Sequence, residues 1–371
     1  MLAVGMRDTG GAGQVLLVEA ATGTVRWDVA SCPDQRSSLG CFHRVAMSPD
    51  GRFVASVSDS EENWKLWDAS GAVWMTGAKH DGTGACVCGV ARTMGEEADA
   101  GCPLQAHTDG VCVVAFSPCR HFFATGGRDR AVMLWNAQTG NAEHVMQGHT
   151  RFVSALAFSA GGGKVASASG DWSILLWDSK TGTLLRTIDT HHNLVQNLHF
   201  SPTNSSRLVS VDVGERVKQW DVDSGQLCKT FVGMGFCQFS PDGRTIATAG
   251  NSGDQGDREV RLLDAESGEL RLRLVGHQTR VRCVSWSPDG RKLASGSGSD
   301  DTCKVWDSST GALLRTIQLE GPCSCLSWGR DWVQDTQRAM AFAMGHHPRL
   351  GGGSRVLELE VGVVRMIVDL A

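Results

Sequence analysis

His149, Ser167 and Asp171 are residue types that acid–base and nucleophilic chemistry uses, and they sit close together in the chain. The same types recur at nearly the same intervals elsewhere, as His107, Thr125 and Asp129 and as His277, Ser295 and Asp300. A reacting centre needs a cluster that stands outside any repeat, whereas a set copied along the chain belongs to the scaffold. These residues therefore read as hydrogen-bonding partners, and no catalytic group is assigned. The stretches 296–301 (GSGSDD) and 249–257 (AGNSGDQGD) are glycine-rich. Each follows a strand and opens no helix, so neither offers the helix N-terminus that cradles phosphate. The pairs Cys86/Cys88 and Cys323/Cys325 have CxC spacing, not the CxxC of a zinc site, so neither a metal nor a cofactor is expected.

The elements that position these residues are short. Apolar runs at 153–158, 164–169, 173–177 and 184–188 are rich in Val, Ile, Leu, Phe, Ser and Thr and are divided by Gly, Ser and Asp turns. No 3.6-residue period fits between the turns, so they predict antiparallel strands. The position of Trp177 recurs at Trp67, Trp135, Trp220, Leu263 and Trp306, with Asp178 or its counterpart following. From Trp135 onward the spacing is 42, 43, 43 and 43 residues, which is the period of a propeller blade. A strand hydroxyl keeps the same phase at Ser56, Thr125, Ser167, Ser210, Thr248 and Ser295, and a turn carboxylate does so at Asp129, Asp171, Asp257 and Asp300.

This unit resembles the WD repeat, on His149, Ser167, Asp171 and Trp177-Asp178. The resemblance implies that the His, Ser, Asp and Trp side chains hydrogen-bond across a four-stranded blade. Left unpartnered in a core, each would cost about 1–3 kcal/mol; together they satisfy one another and fix strand register. Two blades depart. The 231–268 unit has no His and has Leu263 for Trp, and the 191–225 unit has Gly214 where the turn Asp belongs, so both are expected to lack the full network.

The fold expected is all-β, a seven-bladed propeller over 1–328. Six units are complete. Residues 1–30 supply three strands of a seventh, with Val18-Glu19 in the Trp-Asp position, and 321–328 supply its missing first strand, which closes the ring without a free sheet edge. Residues 76–105 form an insertion, read as a surface loop or as the remnant of a duplicated first strand. The tail 329–371 reads as helical from the formers between Asp335 and Met344; the competing reading is an eighth blade.

Function follows by resemblance. The family implies a non-enzymatic scaffold whose partners dock on one face of the ring. Loops on that face supply Arg128, Arg130, Arg151, Phe152 and Trp172, an arrangement suited to an acidic protein or peptide with an apolar anchor. The run 165–180 also resembles the box by which receptors dock to a cullin-4-type ubiquitin ligase, with Lys180 after Trp177-Asp178 and with Ala166 departing from the pattern. The net charge of −5 does not suit a nucleic-acid binder, and no run of about 18 apolar residues spans a membrane. Thirteen cysteines, an odd count partly within apolar strands, indicate a reducing compartment, the cytoplasm or nucleus, and the chain is expected as a monomer within a larger complex.

Overall fold

The computed structural model describes residues 1–7, 13–30, 44–57, 64–68, 71–77, 107–189, 191–214, 216–232, 235–249 and 258–329. The expected tail, most of the 76–105 insertion and Asp257 lie outside these residues. Seven four-stranded antiparallel sheets fill Met1–Arg330, so the chain forms a seven-bladed propeller. The runs read from the sequence as strands become Val153–Phe158, Lys164–Ser169, Ser173–Asp178 and Leu184–Asp189, the fourth blade. Short β-branched runs between Gly and Asp turns have no alternative way to satisfy their backbone than lateral pairing.

The first blade is built from both parts of the chain. Cys323–Trp328 pairs with Leu2–Arg7, with Leu2 opposite Trp328 and Val4 opposite Leu326. The Gly329 amide donates to the Met1 carbonyl at 3.1 Å. Val18 occupies the bulged position that Trp177 holds in the fourth blade.

The innermost strands are Cys323–Trp328, Arg44–Met47, Val111–Phe116, Val153–Phe158, Val195–Phe200, Phe236–Phe239 and Val281–Trp286, for the first to seventh blades. Each contacts the next around the ring. There is no single core. Seven apolar clusters lie one in each gap between neighbouring blades, for example Ala166, Ile174 and Leu176 of the fourth blade against Leu198, Phe200 and Trp220 of the fifth.

Each innermost strand has one edge without a sheet partner, and its amides still need acceptors. Side chains of the preceding blade supply them. Asn197 accepts from the Cys237 amide at 3.2 Å, Gln238 from Trp286 at 3.0 Å, Ser285 from Trp328 at 2.9 Å, and Ser327 from Met47 at 2.9 Å. Five innermost strands also bulge at one equivalent point, leaving Cys112, Ser154, Gln196, Arg282 and Ser324 out of register with the neighbouring strand. Such bulges re-aim side chains, and all five residues line the central channel.

At the other end of the innermost strands of the second, sixth and seventh blades a Ser-Pro-Asp-Gly turn leads to the second strand. Ser48 donates to Asp50 at 2.6 Å, Ser240 to Asp242 at 2.5 Å and Ser287 to Asp289 at 2.6 Å. The fourth turn residue is left-handed: Gly51, Gly243 and Gly290 have φ of 74°, 70° and 70°. The third blade places Arg120 there at φ 69°, where a β-carbon is disfavoured. Arg120→Gly is expected to stabilise the chain by about 0.5–1 kcal/mol, read as a higher denaturant midpoint. An unchanged or lower midpoint would show that the Arg side chain repays the strain.

Candidate interaction site at the channel mouth

The polar network comes first, because it holds the loops that frame the mouth. In the fourth blade Trp177 Nε1 donates to Ser167 Oγ at 2.8 Å, Ser167 Oγ lies 2.8 Å from His149 Nε2, and His149 Nδ1 lies 3.1 Å from Asp171. With a neutral imidazole the direction is fixed: indole donates to hydroxyl, hydroxyl to Nε2, and Nδ1–H to carboxylate. Asp171 also accepts the Thr150 amide at 2.8 Å, tying the loop before the innermost strand to the turn between the second and third strands. Trp135, Thr125, His107 and Asp129 repeat the chain of contacts in the third blade, and Trp306, Ser295, His277 and Asp300 in the seventh. Ser167 is fully buried with both neighbours engaged, so its hydroxyl is closed to any substrate.

The fifth blade corrects the sequence reading. Gly214 does not leave it without a carboxylate: Asp212, two residues earlier in the strand, lies 2.9 Å from His191 Nδ1, and Ser210 bridges His191 and Trp220 at 2.7 Å each. The carboxylate has moved from turn to strand end, which no fixed spacing detects. The sixth blade has Leu263 at the Trp position, and there the buried Thr248 hydroxyl has no hydrogen-bond partner among the described residues. In the second blade Trp67 donates to Ser56 at 2.8 Å.

Burial lowers the pKa of His149, His191 and His277 against the pull of their carboxylates, so these imidazoles are neutral at pH 7. Burial opposes ionisation of Asp171 and Asp300, but hydrogen bonds from Ser173 and the Thr150 amide, and from Thr302 and the Gln278 amide, overcome it and hold both carboxyls at about 2.

The central channel opens into a cavity of about 1440 Å³. One end is lined by Pro49, Pro118 and Pro202, which follow the innermost strands. The other is lined by Arg44, Arg128, Arg130, Arg151, Arg280 and Arg282, with Phe152 among them. No Asp, Glu or Lys lines the cavity among the described residues. His199 adds no charge at neutral pH: burial takes its pKa down to about 4, and its Nδ1 accepts the Phe239 amide at 3.4 Å. Arg130, Arg151, Arg280 and Arg282 pair with no described carboxylate. Arg44 of the second blade reaches the Gln196 carbonyl of the fifth at 3.5 Å, a contact across the channel.

Four of the five residues singled out in the loops thus meet at this mouth. Trp172 does not line it; it stands 50% exposed in a left-handed turn at φ 71°, as Arg130 does at φ 69°. Asp171 and Asp129 hold those turns by accepting the amides of Ser173 and Ala131. Phe152 is 38% exposed and packs on Gly170, where a β-carbon would come within 2.8 Å of its ring. Arg44, Arg280 and Arg282 escaped the sequence reading. Their signal was a charge at or beside the first residues of an innermost strand, as in Val281–Trp286.

The family described as WD domain, G-beta repeat matches residues 101–136, 140–178 and 268–307. The chain carries WD repeats. Its relatives include nuclear distribution protein PAC1 of Coccidioides posadasii, 32% identical over 32% of this chain and 29% of that protein. Autophagy-related protein 16 of Arabidopsis thaliana is 26% identical over 62% of this chain and 45% of its own length. WD repeat-containing protein 1 of Gallus gallus is 33% identical over 26% of this chain and 16% of its own length. The WD-repeat chain therefore spans less than half of each of these curated relatives.

The network makes two outcomes measurable. Thr125→Val orphans His107 and Trp135 and is expected to cost about 2–3 kcal/mol, whereas Thr248→Val removes an unpartnered hydroxyl and is expected to be neutral or stabilising by up to about 1 kcal/mol. Equal losses in denaturant melts would contradict this difference between blades. For pH, the folded-state histidine pKa values lie below 6.5, so below that pH the unfolded chain binds more protons and stability falls. Asp171 and Asp300 add a second loss as pH drops from about 3.8 toward 2. Melting temperatures should decline from pH 7 to pH 5 and again below pH 4; a flat profile from pH 7 to 5 would refute the neutral-imidazole assignment.

Proposed function

We propose that the chain is a protein-interaction module without catalytic activity of its own, and that its arginine-rich channel mouth receives an acidic segment of a partner protein. The observation that carries this reading is the convergence of six guanidinium groups and Phe152 on one opening, with no carboxylate among the described lining residues. In a chain of net charge −5 this is a local reversal of sign, and a concave positive surface focuses the field on an incoming anion. Arg and aromatic side chains are also the residues that dominate binding hot spots. Relatives carrying WD repeats support the scaffold class, and the repeated, buried Ser–His–Asp contacts supply no free nucleophile.

The ubiquitin-ligase reading rests on 165–180 alone. Ala166, Ile174, Leu176 and Trp177 of that run are blade core, and only Lys180 stands out as an exposed basic residue at the turn, so the reading is not adopted.

The test is capture of partners by the full chain, compared with a variant combining Arg130→Ala, Arg151→Ala and Phe152→Ala. A partner of the mouth is expected to be lost from the variant, with a weakening of about 2–4 kcal/mol, and to bind the wild type less tightly as salt rises. The variant should melt close to the wild type, since these side chains lie outside the blade clusters. Partners retained equally by both proteins would place the docking surface elsewhere.

A further inference from the structure

We propose that Cys283 and Cys323 form a modification site: a hydroperoxide entering the central channel oxidises them to a disulfide that ties the seventh blade to the strand completing the first.

The two sulfurs lie 3.6 Å apart in the buried gap between these blades. Packing does not call for sulfur there. Cys323 opens the innermost strand of the first blade, and the same position is Val111, Val153, Val195 and Val281 in the third, fourth, fifth and seventh. Sister gaps are filled by apolar pairs instead: Val113 and Val153 share the gap between the third and fourth blades, and Ala155 and Val195 the next. The geometry is equivalent. A β-carbon added at Gly126 would collide with Val153 and Val113, and one added at Gly296 would collide with the sulfurs of Cys323 and Cys283. Gly296, opposite Cys283 in its own blade, leaves the space in which the two sulfurs can close to the length of a bond, about 2.05 Å.

The two thiols differ in access. Cys283 lines the channel cavity and Cys323 does not, so a small oxidant meets Cys283 first. The contact with Cys283, and then burial, push the Cys323 thiol well above the ordinary range. Cys283 is therefore the sulfur that attacks and Cys323 the one that resolves. In the first step the Cys283 sulfur takes one peroxide oxygen and the O–O bond breaks. The other oxygen leaves with the thiol proton as water or an alcohol, and Cys283 becomes a sulfenic acid. In the second step the Cys323 sulfur displaces that hydroxyl, which departs with the Cys323 proton as water while the S–S bond forms. Two thiols are oxidised by two electrons and one hydroperoxide is reduced by two. Cys325 takes no part: it packs in the following gap, between the first and second blades, and its sulfur accepts the Val45 amide at 3.1 Å. The bond encloses the rest of the seventh blade in a covalent loop and fixes the closing strand against it.

The experiment treats the folded full chain with hydrogen peroxide, alkylates the remaining thiols in denaturant and maps tryptic peptides. Expected is peptide 283–291 joined to 316–330 through Cys283 and Cys323, with Cys325 alkylated. The linked chain should melt about 3–6 °C higher, and dithiothreitol should reverse the shift. Cys323→Val and Cys283→Ala install residues that sister blades carry at these positions, so both variants should fold, and neither should show the link or the shift. Cys303→Ala, which removes another buried thiol of the same cluster, should keep both. A bond through Cys303 or Cys325 would overturn the assignment of the pair. So would Cys283 stopped at sulfenic or sulfinic acid beside an alkylated Cys323, or oxidation confined to the exposed Cys119 and Cys228. A linked chain that melts no higher than the reduced one would overturn the tie between blades.

Discussion

The innermost strands have to satisfy one row of backbone amides without a neighbouring strand, and the propeller depends on how they do it. A sheet edge left open invites pairing with another chain, and buried amides left open cost free energy. Here the answer is directional. Asn197, Gln238, Ser285 and Ser327 each serve the backbone of the following blade, from the fifth to the second. Short polar side chains at the junction of blades are thus part of the backbone ladder in effect, though they lie in no strand pair. They tie each blade to the next around the axis, and the space the ring encloses is the channel.

That arrangement explains why the site can carry so much like charge. The seven apolar clusters lie between blades, away from the axis, and the His–Ser–Trp–carboxylate chains brace the loops from within each blade. Stability resides in these two systems, and the arginines at the mouth belong to neither, so they are free of packing duty. Six arginines would be costly to pack into a core; at a solvent-filled mouth they cost only their mutual repulsion. The third and fourth blades show the two systems meeting: Asp129 and Asp171 bind an imidazole inward and fix the turns of Arg130 and Trp172 outward.

Much of this was legible in the sequence. The Trp interval of 42–43 residues gave the blade period, and the recurring His, hydroxyl and Asp gave the network, because each is a local spacing that one blade determines. What escaped reading depended on positions from different blades. Asp212 replaces a turn carboxylate from within a strand, so a fixed interval passes over it. Arg44, Arg280 and Arg282 join Arg128, Arg130 and Arg151 only because the ring brings distant repeats to one axis. Trp172 was grouped with them through its neighbour Asp171, yet it does not line the mouth. The Ser-Pro-Asp-Gly turns are plain in the sequence, and Arg120 stands out only when their common left-handed residue is known.

The bulge at the same point of five innermost strands has a consequence for how such a protein changes over time. Cys112, Ser154, Gln196, Arg282 and Ser324 face the axis with no partner residue opposite them in the adjoining strand. A substitution there leaves every cross-strand pair as it was, although at Ser154 it also removes a hydroxyl that donates to the Val195 carbonyl of the next blade at 2.6 Å. Thiol, hydroxyl, amide and guanidinium already occupy equivalent places in one chain. The ring therefore works as a set of sockets, in which recognition can be rewritten at Cys112, Gln196, Arg282 and Ser324 without disturbing a strand pair, while Ser154 also ties two blades together.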